Sequence, residues 1–405
     1  MILFFRFRNR ADERGRSAIL TTSRKAFHAH WQAFLSGAAL LALAACSSPE
    51  PLAELPQWRL VEEWRVGGEA DGPHSFDFNL GLGLLPKGGF VHFDYKSSKL
   101  HYLDAQGEVV RSVGRAGRGP GEFMMVNGLA VASDGRVIIS DLVNGFSIFS
   151  DSGAFIRVIK PDAGRLGIGK RWDAIVLADG RIVENLEQVP GRPGGEPLRL
   201  VWSSDLMHAD TLPSASCAAK STGPATRIPL KDSTGKLLIN SPLSNAEPRK
   251  ATAVDVSGST WEQLDRARGE IVRHGLNNCE VMLTINLPGA PESFDPAAKA
   301  MMVEMVKEEA KRWKAMEPEF GALPDQGAWY QGLYLDPAGN VWVERVGANR
   351  NFRVEIYSAD AKPVAEVRDK SLPVFPMITA THVYGLARGE DDVHYLVAWR
   401  LEKGG

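Results

Sequence analysis

The chain has 405 residues, 44% of them hydrophobic, and its formal net charge of −2 excludes the basic surplus of an ordinary nucleic-acid binder. That apolar content also excludes a disordered chain, and 40 glycines point to many short elements joined by tight turns.

In chain order, the first feature is residues 34–45, FLSGAALLALAA, twelve uncharged and mostly small or apolar residues behind a basic patch with Arg24 and Lys25. A spanning helix needs about 20 apolar residues, so this run fits the hydrophobic region of a signal peptide better. The run Leu43-Ala44-Ala45-Cys46 resembles the lipobox of bacterial lipoproteins. The resemblance implies cleavage before Cys46, a diacylglycerol on its sulfur, and an anchor in the cell envelope. Ser47 at the next position implies outer-membrane or periplasmic-face sorting. The arginines within residues 1 to about 20 are unusual for a leader and fit a start assigned too far upstream. Residues 46–405 keep 40 basic and 47 acidic residues, a mildly acidic net −7, which again argues against nucleic acid. Cys217 and Cys279 then remain, either free and buried or bridged in an oxidising compartment; a bridge closing so long a loop would contribute roughly 4 kcal/mol.

Residues 46–56 form a short Pro-bearing tether, and residues 57–405 repeat one grammar of strand, turn, strand, gap, strand, turn, strand. The clearest copy runs from Gly119 to Ile159 (GPGEF, NGLAVASDGRVIISD, FSIFSDSGAFIRVI). There Leu129 and Val131, then Val137 and Ile139, recur at every second position, as half-buried strands require. Asp134-Gly135 and Ser152-Gly153 read as two-residue hairpin turns. Other copies span about Phe76–Gly114, Lys170–Ser214, Arg227–Leu287 and Trp329–Asp369. A final partial copy, His382–Leu401, supplies about three strands, and Trp58–Val66 supplies the missing one. The expectation is an all-β, six-bladed β-propeller closed by an N-terminal strand, since closure removes exposed sheet edges. One segment breaks the pattern. Residues 295–316 carry an N-cap Asp295, Pro296 at the first helical position, and Met302, Met305, Val306, Trp313 and Met316 at helical spacing, predicting an inserted amphipathic helix.

The Gly119–Phe155 unit resembles an NHL repeat, and the chain from residue 57 on is similar to six-bladed propeller lipoproteins of environmental bacteria. Asn127 and Phe146 depart from the repeat at positions where proline and a basic residue are usual, which weakens transfer of the binding surfaces of intracellular NHL domains. Such propellers serve many functions; the absence of a complete catalytic set points to a binding or scaffolding module whose partner is an envelope protein, a glycan or a small ligand, and the alternative is a Ca²⁺-dependent propeller hydrolase of the lactonase type. Residues near the starts of the innermost strands are the candidate ligand site: Asp77, Asn79, Asn127, Trp172, Asp173, Gln331, His382 and Tyr384. Propeller hydrolases of the lactonase type hold Ca²⁺ with Asp, Asn and Glu oxygens, and Asp77, Asn79, Asn127 and Asp173 offer such donors without an obvious opening-strand glutamate. No Gly-x-Ser-x-Gly elbow, His-Glu-x-x-His helix or Cys-x-x-Cys pair occurs, so no catalytic set is complete. The glycine-rich run 114–119 precedes no helix and is not a phosphate cradle; its Arg115 and Arg118 could grip an anion.

Overall fold

The computed structural model describes residues 54–68, 74–76, 79–161, 174–186, 198–213, 226–244, 246–265, 267–276, 278–346, 352–368, 370–389 and 393–404. Blade one is β2–β5 (Asn79–Leu84, Phe90–Asp94, Lys99–Leu103, Val109–Val113) and blade two is β6–β9 (Val126–Val131, Val137–Asp141, Gly145–Phe149, Phe155–Ile159). Blade three is β10–β13 (Ile175–Val176, Ile182–Leu186, Leu198–Trp202, Ala209–Pro213). A separate hairpin follows, β14 (Arg227–Lys231) with β15 (Leu237–Pro242). Blade four is β16–β19 (Thr252–Val254, Ser259–Glu262, Glu270–Gly275, Val281–Asn286), and then comes helix α1 (Pro296–Trp313). Blade five is β20–β23 (Gly332–Leu335, Val341–Val346, Phe352–Tyr357, Pro363–Arg368). Blade six is β24 (Val374–Ile378), β25 (His382–Arg388), β26 (His394–Glu402) and, at its outer edge, β1 (Arg59–Gly67).

Six four-stranded antiparallel sheets thus form the six-bladed propeller, and the N-terminal strand closes it. Two expected boundaries change. Residues 227–242 are not part of blade four, because β14 and β15 pair only with each other. Blade six opens at Val374 rather than His382: β24 is its innermost strand, Pro376 notwithstanding, because a bulge between Val374 and Met377 breaks the ladder where proline cannot donate.

The turns also differ from expectation. Ala132 N donates to Arg136 O (2.8 Å) and Gly135 N to Ala132 O (2.9 Å), so the loop has three residues and not two. Gly135 takes φ +88° at the last of them, the left-handed position such a loop demands. The same loop recurs at Asp104, Asp232, Asp255 and Asp336, where the Asp Oδ1 accepts the backbone N–H groups two and four residues on. Local side-chain hydrogen bonding is therefore what makes the strand–turn–strand repeat legible in the sequence.

The cores lie between blades. Leu85, Phe93, Phe123, Leu129 and Phe149 join blades one and two, with Phe123 edge-on to Phe93 at 5.0 Å. Ile138, Phe146, Ile182 and Trp202 join two and three; Leu177, Val183 and Val254 join three and four. Trp261, Ile271, Leu333 and Val341 join four and five, Trp342, Ile356, Val383 and Trp399 five and six, and Phe90 with Leu386 and Leu396 six and one. Each blade buries both faces, so its strands carry consecutive apolar residues, as in Val137–Ile139.

A seventh cluster belongs to the insertions. Ile228, Leu230 and Leu243 from the hairpin segment pack against Phe294 and against Met302, Val306 and Ala310 of α1. The N-cap expectation holds: Asp295 accepts from Ala298 N at 2.7 Å, with Pro296 behind it. The buried stripe is narrower than expected. It runs through Met302, Val306 and Ala310, while Met305, Trp313 and Met316 are exposed, because α1 covers a two-stranded hairpin and not a full sheet. No helix among the described residues is long and apolar enough to cross a membrane.

Candidate functional site

Both insertions leave the propeller at one end, since each joins an outermost strand to the next innermost one. At that end the second strand of a blade finishes, and in five blades it carries a buried acid at its last residue or two before it: Asp94 in β3, Asp141 in β7, Glu184 in β11, Glu262 in β17 and Glu344 in β21. Asp94, Asp141, Glu262 and Glu344 each lie opposite the first residue of the innermost strand, and Glu184 lies one step past that pairing. In blade six the level is taken by Leu386, opposite Val374.

These carboxylates are held by donors. Asp141 accepts from Met124 N, Met125 N, Val143 N and Asn144 N at 2.7–3.1 Å. Asp94 accepts from Lys96 N (2.9 Å) and Ser97 N (3.2 Å), and Glu184 from Trp202 Nε1 (2.7 Å). Glu262 meets His274 Nε2 at 2.6 Å, with Arg199 of the neighbouring blade 4.0 Å away. Glu344 is fully buried and accepts from Ser371 Oγ (2.6 Å), Leu372 N (2.9 Å) and Arg249 Nη2 (2.8 Å). Asp94, Asp141 and Glu344 thus anchor loops at the mouth, while Glu184 and Glu262 hold side chains of the third strands.

Between the insertions and blade five lies a cleft of about 410 Å³, within the roughly 300–1,000 Å³ usual for small-molecule sites. Met301 and Met305 of α1 line it together with Val346 and Phe352 of blade five. Its polar lining is Ser244, Arg249 and Gln331. The polar wall is fixed by the backbone: Arg249 N and Lys250 N both donate to Gln331 O, Leu333 N donates to Lys250 O, and Gln331 N donates to Glu344 O. The segment at Lys250 therefore runs parallel along the start of β20, which sets Arg249 at the cleft edge above Glu344.

Of the expected site residues, Gln331 lines this cleft, and Asn127 is buried as the second residue of β6 in blade two. Asn79 opens β2 and pairs with Asp94 through the backbone; its side chain lies outside the description, as do residues Asp77, Trp172 and Asp173. His382 and Tyr384 are not at the mouth. They sit on β25, the second strand of its blade, and His382 adjoins the far end of β24, where its Nε2 is 2.9 Å from Glu63 and its ring stacks on Tyr384. The displacement follows from β24, whose irregular VFPMI strand hides the true inner element. Arg115 is occupied by Glu122, whose carboxyl is held below the usual range by the Gly119 N–H and by Arg115 itself, whereas Arg118 is exposed. Cys279 is disulfide-bonded; Cys217, its expected partner, lies outside the described residues, as does Cys46. Among the described residues no group of three or more His, Cys, Asp and Glu is arranged to hold a metal ion.

Sequence reasoning missed the acid ring and the cleft. The ring had a signal: an acid falls four to six residues after the turn glycine in five blades, at Gly89, Gly135, Gly180, Gly258 and Gly339. The cleft had none, because it joins residues from 244 to 352 through an insertion whose docking no local pattern encodes.

No family model matches the sequence, and no curated protein matches it. Solved structures do. A DUF4221 family member from Bacteroides vulgatus is 9% identical with a TM-score of 0.50, covering 87% of this chain and all of its own. A candidate exported protein from Bacteroides fragilis is 10% identical (TM-score 0.43; 86% and 96% of the two chains), and a streptogramin B lyase is 15% identical (TM-score 0.40; 86% and 98%). At these identities the likeness extends to architecture alone.

Proposed function

We propose that the protein is a lipid-anchored, extracytoplasmic binding propeller of the NHL-like kind, and that its ligand site is the cleft between α1 and blade five. The observation that carries this reading is the cleft itself: apolar walls from Met301, Met305, Val346 and Phe352 converge with a small polar set, Ser244, Arg249 and Gln331. Met301 and Met305 are 42% and 54% exposed on a well-capped helix, and their soft, unbranched side chains adapt to varied ligands. The anchored half of the proposal rests on the Leu43–Cys46 lipobox.

Two experiments test this. In a bacterial host, Cys46→Ser should shift the protein from the detergent-soluble membrane fraction to the aqueous one; an unchanged partition sinks the lipid anchor. With methyl-labelled methionine in residues 57–405, a fragment screen should move the Met301 and Met305 methyl signals together, while Met124 and Met282 stay still. Fragments that bind yet leave both cleft methyls unmoved would place the site elsewhere.

A further inference from the structure

Resting on the cleft reading, we infer that the cleft selects ligands with an apolar body and a carboxylate head, Arg249 being the group that takes the head. Three observations carry this. First, Arg249 is oriented from beneath. Its Nη2 donates to Glu344 at 2.8 Å, and Glu344 is itself pinned by Ser371 Oγ and Leu372 N, so the guanidinium cannot swing freely. That bond uses one of five N–H donors, and the Arg249 side chain is 56% exposed at the cleft, where the other donors match the planar fork of a carboxylate.

Second, the charges around the cleft favour an anion. Glu344 faces inward and is fully buried, so it turns only its guanidinium partner outward. On α1, Glu304 is paired with Lys307 and Glu308 with Lys311, and Glu247 of the preceding loop is paired with Arg227. Glu309, one turn on from Met305, is instead engaged by Ser241 Oγ, and Arg249 is the charged side chain that lines the cavity.

Third, the opposite wall is apolar and adaptable. Met301 and Met305, one helical turn apart, face Phe352 and Val346 across the cavity. A flexible alkyl chain fits such a wall, whereas a sugar would leave its hydroxyls without partners there.

The probes are octanoate, octanol and octylammonium, three ligands with one body and three heads, titrated into residues 57–405 with the Met301 and Met305 methyl signals as readout. Octanoate should saturate, octanol should bind at least tenfold more weakly, and octylammonium should be weakest. Arg249→Gln should bring octanoate down to the octanol level. Because removing Arg249 also uncovers Glu344, the exposed-site variants Met305→Glu and Met305→Lys, read on the remaining Met301 methyl signal, provide an independent check: the first should abolish octanoate binding and the second should preserve it. Equal affinity for octanoate and octanol would overturn the carboxylate assignment while leaving the cleft as a binding site, and tighter octylammonium binding would do the same. If none of the three moves the methyls, the carboxylate assignment falls. Stillness in the broader fragment screen as well takes the cleft reading with it.

Discussion

Glu262→Ala is expected to destabilise the propeller by about 3–5 kcal/mol, because it strands the buried Arg199 guanidinium and leaves His274 Nε2 without its partner at the junction of blades three and four. Arg199 reaches from β12 to Thr260 Oγ1 (3.4 Å) and lies 4.0 Å from Glu262, while His274 on β18 contacts Glu262 through Nε2 at 2.6 Å. Arg199, Glu262 and His274 are each nearly inaccessible to solvent. Glu262→Gln should cost less, since an amide oxygen can still accept from His274. Urea unfolding monitored by circular dichroism measures both; a loss under 1 kcal/mol for the alanine variant would show that the cluster is not a structural junction.

The same cluster sets a pH dependence. His274 Nδ1 lies 2.8 Å from Gly275 O and 3.1 Å from Asn278 O, so with Glu262 at Nε2 both ring nitrogens face acceptors. The Glu262 hydrogen bond, against the opposing effect of burial, holds the imidazole above its ordinary value of 6.5. The folded state thus holds this proton more tightly than the unfolded chain. The contribution is complete below pH 6.5 and is lost as pH rises through the folded value. His101 has the opposite sign. Burial, opposed by Asp94 and aided by Lys99 and His74, pulls it below 6.5, so stability falls as pH drops beneath that point. Unfolding free energy should therefore decline on both sides of about pH 6.5, and His274→Gln should flatten the alkaline limb alone. A wild-type profile with no alkaline decline would contradict the paired-imidazolium assignment.

Asp141→Ala is the second large effect, again about 3–5 kcal/mol, for a different reason. One carboxylate satisfies four backbone donors, two before β6 and two after β7, so its loss leaves several amides short of partners at once. Asp141→Asn keeps one oxygen and should lose roughly half as much. Hydrogen exchange at Met124, Met125, Val143 and Asn144 reads the outcome directly: all four amides should lose protection in the alanine variant. Continued protection would mean that the loop is held by the Asn144 side chain, which donates to Gly117 O and Glu122 O.

The architecture was largely legible in the sequence because it is written in local chemistry. Asp and Gly at fixed offsets make the three-residue loops, and apolar runs such as Val137–Ile139 mark strands buried on both faces. The helix was legible for the same reason, through Asp295 and Pro296. What local chemistry does not encode was read less well. The hairpin 227–242 has strand and turn residues like any blade, and only its pairing partner separates it from blade four. In blade six, the proline in β24 hides the inner strand and put His382 and Tyr384 one strand too far inward. Gln331 was found because it precedes an unambiguous strand; Arg249 and the two methionines were not, since their meeting depends on how the insertion docks.

The pairing of β1 with β26 also fixes an order of events in time. The propeller's first strand pairs with its last, with Arg59 opposite Glu402, so β1 has no sheet partner until nearly the whole propeller has been made. At about 5–20 residues per second, that wait is of the order of 20–70 seconds. During it β26's future neighbour is an unpaired edge, and the ring cannot close by any short-range step. Completion of the propeller therefore waits for β26, so a truncated product lacking β26 leaves β1 unpaired and the ring open.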